Sequence, residues 1–271
     1  MPELPEVETV KNGLIEKVKG KKILGCLIRY PGIIEYPDTD KFIKEITNQI
    51  INDITRRGKF LVFELNDYYL ISHLRMEGKY FIKSKEETYS KHDHIIFSLE
   101  NNQELRYNDT RKFGRMHLVK KDELNKTPLI NLGKEPWDKT LNITYLKEKL
   151  NKKKAIKTLL LDQTIIAGIG NIYADEILFL SKINPEREGY KLTDNNLKDI
   201  IKYTQEVLTK SIALGGTTIH TYTSVNGITG RFQQELLVHG KKGEKCPNCE
   251  TLIEKITVNT RGTYYCPKCQ K

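Results

Sequence analysis

Apolar residues near the start of the chain recur at helical steps. Val7, Val10, Leu14, Ile15 and Val18 share one face, Pro5 with Glu6 and Glu8 occupies the first turn, and Gly20 offers a stop. This pattern predicts an N-terminal helix over residues 4–18. The period then shortens. Residues 59–65, 68–74, 79–83, 94–99, 104–107 and 115–120 are short runs rich in β-branched and aromatic residues, divided by turn-forming pairs such as Asn66–Asp67 and Asn101–Asn102. Many short strands in succession predict an antiparallel sandwich or barrel and argue against a doubly wound sheet, whose strands alternate with helices.

Between residues 122 and 140 the pattern lapses around Pro128, Gly133 and Pro136, which predicts a linker. Helical spacing follows: Leu146 and Leu150; Ile156, Leu159 and Leu160; Ile172, Ile177, Leu178 and Leu180; then a longer run from Leu197 to Leu214. From about residue 241 short strands return between pairs of cysteines. The expected class is α+β. Its parts are an N-terminal antiparallel sandwich or barrel over 1–121, the linker 122–140, a helical domain over 141–235 and a C-terminal module over 236–271.

Composition narrows the partners. The 271 residues suffice for two ordinary domains, and 45 Lys and Arg against 35 Asp and Glu leave a net charge of +10, spread along the chain, which favours a polyanion. No apolar run approaches the roughly 20 residues that span a bilayer, and no basic segment followed by an apolar one opens the chain. A cytoplasmic protein without membrane association is expected. Of five cysteines, Cys26 stands alone and reads as a core residue, while the other four crowd the C-terminus, unlike the distributed set of an extracellular disulfide framework.

Those four carry the strongest chemical signal. Cys246 with Cys249 and Cys266 with Cys269 form two C-x-x-C knuckles sixteen residues apart, a spacing that presents four thiolates tetrahedrally to one structural Zn2+ and leaves no position for water. A redox dithiol would need one such pair beside a βαβ unit. Between the knuckles, residues 253–258 and 263–265 predict a hairpin whose turn contains Arg261 and Gly262. Arg261 there suits a phosphate contact or is a solvated turn residue.

Gly168-Ile169-Gly170-Asn171 lies between two predicted helices, where backbone amides and the Asn171 side chain suit a phosphate. Lys152, Lys153, Lys154 and Lys157 precede it and are able to add charge. The start of the chain is the unusual feature. Removal of Met1, which a small second residue permits, exposes the secondary amine of Pro2, followed by Glu3. With a pKa of about 8, an α-amine keeps a neutral, nucleophilic fraction near neutral pH. Its adduct with a sugar aldehyde equivalent is a cationic iminium, an electron sink that favours elimination of phosphate.

Pro2-Glu3-Leu4-Pro5-Glu6-Val7-Glu8-Thr9 resembles the N-terminus of formamidopyrimidine-DNA glycosylases. The resemblance continues through Arg57-Gly58-Lys59, His73-Leu74-Arg75-Met76, Asp109-Thr110-Arg111-Lys112-Phe113-Gly114, Gly168-Ile169-Gly170-Asn171 and the cysteine module, from one end of the chain to the other. It implies a β-sandwich N-terminal domain carrying the terminal proline, a helical domain of helix-two-turn-helix type, a zinc finger, and double-stranded DNA held in a cleft between domains. It implies that Pro2 attacks the sugar C1′, that Glu3 assists ring opening, that Lys59 lies near phosphates and moves protons during elimination, and that Arg261 holds a phosphate. His73, His92, Asn171 and Lys153, with Lys152 as fallback, match DNA-backbone contacts.

A base inside a duplex must be swung out before its sugar is reachable, at a cost of a few kcal/mol. By the same resemblance Met76, Arg111 and Phe113 fill the hole as apolar probe, donor to the orphaned cytosine and aromatic wedge. One departure is His220, where the family commonly has lysine or arginine; it falls in a segment through Gly230 that resembles the loop covering the extruded base. The implied activity is excision of oxidised purines, namely 8-oxoguanine and formamidopyrimidines, with abasic-site lyase action, by a monomer without a nucleotide cofactor. An endonuclease VIII-like glycosylase for oxidised pyrimidines and a non-catalytic zinc protein that binds damaged DNA are the alternatives.

Overall fold

The computed structural model describes residues 1–217 and 230–271. These divide into two compact units: Met1–Ile130 with the described part of Gly215–Gly230, and Asn131–Leu214 with Arg231–Lys271.

The first unit opens with helix α1 (Leu4–Val18), over the residues that the sequence pattern predicts. Glu3 caps it in an extended conformation, and Glu6, at the third helical position, returns its carboxylate to the Glu3 amide at 2.8 Å. Leu4, Val7, Val10, Leu14 and Val18 are all buried. At about 1.5–3 kcal/mol for each such side chain, this face rather than propensity holds the helix. Gly20, at φ +82°, then turns the chain away and donates to the Ile51 carbonyl.

Two sheets share one core with α1. Strands β1 (Ile23–Ile28), β2 (Ile34–Tyr36) and β3 (Asp53–Arg57), with helix α2 (Thr39–Ile46), occupy a stretch where the alternation signals nothing. The remaining strands match the predicted runs to within a residue or two: β4 (Phe60–Glu64), β5 (Tyr68–His73), β6 (Lys79–Ser84), β7 (Asp93–Leu99), β8 (Gln103–Asn108) and β9 (Arg115–Lys120). They form a four-stranded sheet, β1-β7-β8-β6, and a five-stranded one, β2-β9-β5-β4-β3. All pairings are antiparallel except β2 with β9, a short parallel edge that the antiparallel expectation did not include. Val10, Leu14, Phe42, Phe63, Leu70, Phe97 and Tyr107 lie in the common core. Cys26 sits at its margin, only half-buried, and burial pushes its thiol up to about 12. The start of the expected linker is not featureless: Lys121–Lys126 and Pro128–Asn131 are tight 3-10 turns, and Leu124 and Leu129 pack on Val62, Ile71 and Val119.

The second unit is helical, with α3 (Ile143–Leu150), α4 (Ile156–Leu160), α5 (Asn171–Leu180) and α6 (Asp194–Ala213). Caps fix their starts: Asn142 accepts from Tyr145 N–H, and Thr193 with Asn196 forms a capping box on α6. The chain ends in a hairpin of β10 (Glu254–Val258) and β11 (Arg261–Tyr265). Its turn is Asn259–Thr260, both left-handed, with Val258 opposite Arg261. Arg261 and Gly262 therefore begin the second strand instead of forming the turn.

Candidate active site and nucleic-acid interface

Pro2 and Glu3 are buried at the head of α1. Glu6 fixes them: beyond the Glu3 amide, its other carboxylate oxygen accepts from Thr217 N–H at 2.8 Å and from the Thr217 hydroxyl at 3.1 Å. Gly216, at φ +79°, allows this approach, since a Cβ there would stand 2.7 Å from the Glu6 carboxylate. A second fastening joins α1 to the β3–β4 turn. Arg56 donates to Glu8 at 2.7 Å and to the Gly58 carbonyl at 2.9 Å, and Lys59, which follows that turn, is buried. Burial alone would push the Glu8 carboxyl up, but Lys11 and Arg56 outweigh it and hold Glu8 below the usual carboxylate range.

His73 ends β5 opposite Phe60, with the two rings edge to face at 4.5 Å. Its Nδ1 accepts from the Arg75 amide at 2.9 Å, so the neutral ring carries its proton on Nε2 and presents a donor. Burial, then the charges of Arg75 and Lys59, lower its pKa to about 3. His92 is half-buried on the β6–β7 loop, and its carbonyl accepts from Asp109 N–H at 3.0 Å.

The expected void-filling residues stand out from this buried frame. Met76 is 38 % exposed and Phe113 47 %, a degree of exposure shared by Leu24 and Ile130, and the Arg111 guanidinium lies 4.9 Å from the Phe113 ring centroid.

In the second unit the glycine turn before α5 is held by Gln163, which accepts from Gly168 N–H at 2.9 Å and donates to the Ile169 carbonyl at 2.8 Å. Asn171 opens α5 and donates its amide to the Gly262 carbonyl at 2.9 Å, tying the helix to the hairpin beside exposed Arg261; its Oδ1 is buried with no hydrogen-bond partner. The lysine run divides. Lys152, Lys153 and Lys154 are exposed, but Lys157 is fully buried, paired with Asp175 and donating to the Asn171 carbonyl. Lys157 is thus no phosphate ligand, because its ammonium is spent inside the fold. The other Asp175 oxygen meets His239 Nδ1 at 2.6 Å, and the Glu176 carboxylate accepts the amides of Leu237, Val238 and His239.

The four cysteine sulfurs lie within 4.8 Å of one another, with Cys246 to Cys269 at 3.9 Å and Cys249 to Cys266 at 3.5 Å. A disulfide needs about 2.05 Å. Zinc–sulfur bonds of about 2.3 Å in a tetrahedron set sulfurs about 3.8 Å apart, so these thiolates fit a metal.

Residues 1–116 match the formamidopyrimidine-DNA glycosylase N-terminal domain, 132–223 the formamidopyrimidine-DNA glycosylase H2TH domain, and 243–271 a zinc finger found in FPG and IleRS. A formamidopyrimidine-DNA glycosylase of Bacillus cereus is 47 % identical over 273 residues, covering all of this chain and 99 % of its own. The chain belongs to the formamidopyrimidine-DNA glycosylase family. Two Lactococcus lactis structures of this family, a complex with DNA containing an abasic site and a mutant in complex with DNA containing Fapy-dG, each align at TM-score 0.94 and 43 % identity over the whole of both chains.

The structural zinc of this family member is held by Cys246, Cys249, Cys266 and Cys269. Within the first unit Pro2, Glu3, Lys59, His73, His92, Met76, Arg111 and Phe113 share one scaffold; Lys153, Asn171 and Arg261 belong to the second. His220, with the rest of 218–229, lies outside the described residues. Sequence reasoning missed Glu6, Asp109, Asp175 and Glu176 as organisers. Most of their partners lie far along the chain, Thr217 for Glu6, Lys157 and His239 for Asp175 and residues 237–239 for Glu176, while the amides that Asp109 binds are local but give no pattern of side chains.

Proposed function

We propose that this DNA glycosylase excises oxidised purines, 8-oxoguanine and formamidopyrimidines, from duplex DNA and then cleaves the abasic strand. The observation that carries the reading is the setting of the N-terminus, where Glu6 joins the Pro2–Glu3 segment to Thr217, the root of the segment that resembles the lesion loop. With Met1 removed, the Pro2 nitrogen attacks C1′ and the bond from C1′ to the base nitrogen breaks; the base leaves with the proton that the Pro2 nitrogen gives up. Glu3 protonates the ring oxygen as the sugar opens, leaving a Pro2 iminium. The iminium acidifies C2′, whose proton is lost as the C3′–O bond breaks. A second elimination breaks the C5′–O bond, so both ends of the gap carry phosphate.

Lys59 moves protons during elimination, and Arg261 holds phosphate. His73, as a neutral Nε2–H donor, along with His92, Lys153 and Asn171, grips the backbone. Met76, Arg111 and Phe113 fill the vacated stack. The domain boundaries follow the same scheme: a catalytic sandwich over 1–121, a connector over 122–140, a DNA-binding helical domain with the lesion loop over 141–235, and the zinc finger over 236–271.

A panel of duplexes carrying 8-oxoguanine or formamidopyrimidine opposite cytosine, or thymine glycol opposite adenine, tests the reading. The purine lesions are expected to be cut faster, leaving a one-nucleotide gap with phosphate on both sides. A preference for thymine glycol, or release of base with the strand intact, would contradict it.

A further inference from the structure

The turn bearing Met76 and the loop bearing Arg111 and Phe113 are far apart in sequence, yet they meet at one hydroxyl. A Cβ on Gly78 would stand 2.2 Å from the Tyr107 hydroxyl oxygen, and one on Gly114 only 1.7 Å from it. Tyr107 is fully buried at the end of β8, so its hydroxyl lies against the backbone of both turns. Only glycine permits that approach at either position.

Asp109 completes the junction and is also fully buried. One carboxylate oxygen accepts from Arg111 N–H at 2.9 Å; the other accepts from Gly114 N–H at 2.9 Å and lies 3.4 Å from the Tyr107 hydroxyl. Its own backbone is pinned, N–H to the His92 carbonyl at 3.0 Å and carbonyl to His94 Nε2 at 2.9 Å. Across the junction the Thr110 hydroxyl bonds the Glu77 carboxylate. Each apolar probe also follows a left-handed residue, Arg75 at φ +52° before Met76 and Lys112 at φ +57° before Phe113. Non-glycine residues hold that conformation only where their surroundings impose it. The probe and the wedge therefore stand on a shared, buried support.

We propose that Asp109 and Tyr107 are positioning residues that lock the Met76 turn and the Arg111–Phe113 loop into one pre-built wedge, so that base extrusion meets a formed insert instead of ordering two loops. This rests on the proposed void-filling role of those three side chains. Preorganisation matters because misplacing a group by about 1 Å can cost about a hundredfold in rate.

Asp109→Asn keeps shape and volume but replaces one acceptor by a donor, which leaves a loop amide unmatched. Tyr107→Phe keeps the ring in the core and removes only the hydroxyl. Both are measured on a duplex with 8-oxoguanine beside 2-aminopurine, whose fluorescence rises on extrusion, and on a single strand with a preformed abasic site, where no stack has to be refilled. Extrusion and duplex excision are expected to slow by about tenfold or more in Asp109→Asn and by less in Tyr107→Phe, with single-strand cleavage kept within about twofold. Parallel losses on both substrates, or wild-type extrusion by both variants, would overturn the inference. If Asp109→Asn fails to fold, the Tyr107→Phe comparison decides alone. A wild-type protein unable to excise from the duplex would instead sink the glycosylase reading, and this inference with it.

Discussion

The two units support their site residues by different means. In the first, the wedge residues and the N-terminal proline stand on a broad core shared by two sheets and α1, and the fine adjustment comes from carboxylates, Asp109 and Glu6, that accept backbone amides. In the second, Arg261 rides on a two-stranded hairpin whose packed cluster is small: Phe179, Val238, Ile253 and the cysteines at its centre. A hairpin of that size buries too little to stand alone. Four thiolates and a buried ion cluster, Lys157 with Asp175 and His239, supply what the core lacks. Buried charge is common to both units, since the first encloses Arg106 with Glu104 and Asp93; the hairpin differs in resting on a metal site as well.

That contrast is most easily broken at the metal. Cys249→Ser removes a ligand, so the zinc binding energy of about 10–16 kcal/mol no longer holds the module. Metal analysis should find no bound zinc and proteolysis should open residues 243–271, while the sandwich unit keeps its unfolding transition. Zinc retained at wild-type level would contradict the assignment.

Next in size is the ion cluster. Asp175→Leu strands the Lys157 ammonium in a fully buried site and is expected to cost about 3–5 kcal/mol in denaturant unfolding of the second unit. Lys157→Met combined with Asp175→Leu should recover much of that loss. A single variant as stable as wild type would mean the pair holds nothing.

The first unit should instead show a titration. The folded-state pKa of His73 is lowered to about 3, so its neutral form is the one that folding favours. The unfolded chain, with His73 near pKa 6.5, binds the extra proton first. His73's contribution is therefore complete above pH about 6.5 and declines below it by up to about 1.4 kcal/mol per pH unit, until the folded-state pKa is reached. His73→Gln should flatten that part of the stability profile, and an unchanged slope would reject the buried-neutral assignment.

The smallest stability effect belongs to Arg261→Ala. The side chain is exposed, so unfolding should move by no more than about 0.5 kcal/mol. The salt dependence of duplex binding should nonetheless lose about one unit of slope, as removal of one phosphate contact requires. An unaltered slope would take Arg261 out of the interface.

How much of this was legible in the sequence follows the same physics. α1 and the strands from β4 to β9 were readable because each repeats its apolar period against a single core. The stretch before them was not. α2 is eight residues long and its buried pair, Phe42 and Ile46, makes a single helical step, too short a repeat to read, while β3, Asp-Ile-Thr-Arg-Arg, buries Ile54 alone and has no alternation. The hairpin turn reads two residues too long in the sequence, since Asn259–Thr260 puts a β-branched residue at positive φ where glycine at 262 looks the natural turn former. The cysteines were legible because ligand spacing is local. Lys157 was not, because a lysine beside three exposed ones reveals nothing of a buried acid eighteen residues away.

The proposed chemistry turns on the secondary amine of Pro2, which makes the covalent bond to DNA. Borohydride reduction of the protein on an 8-oxoguanine duplex, followed by peptide mass mapping of the adduct, tests it directly. A DNA remnant is expected on the N-terminal peptide at Pro2, with Met1 absent. An adduct on Lys59 or another lysine, or full cleavage by a preparation whose Met1 is still in place, would contradict it.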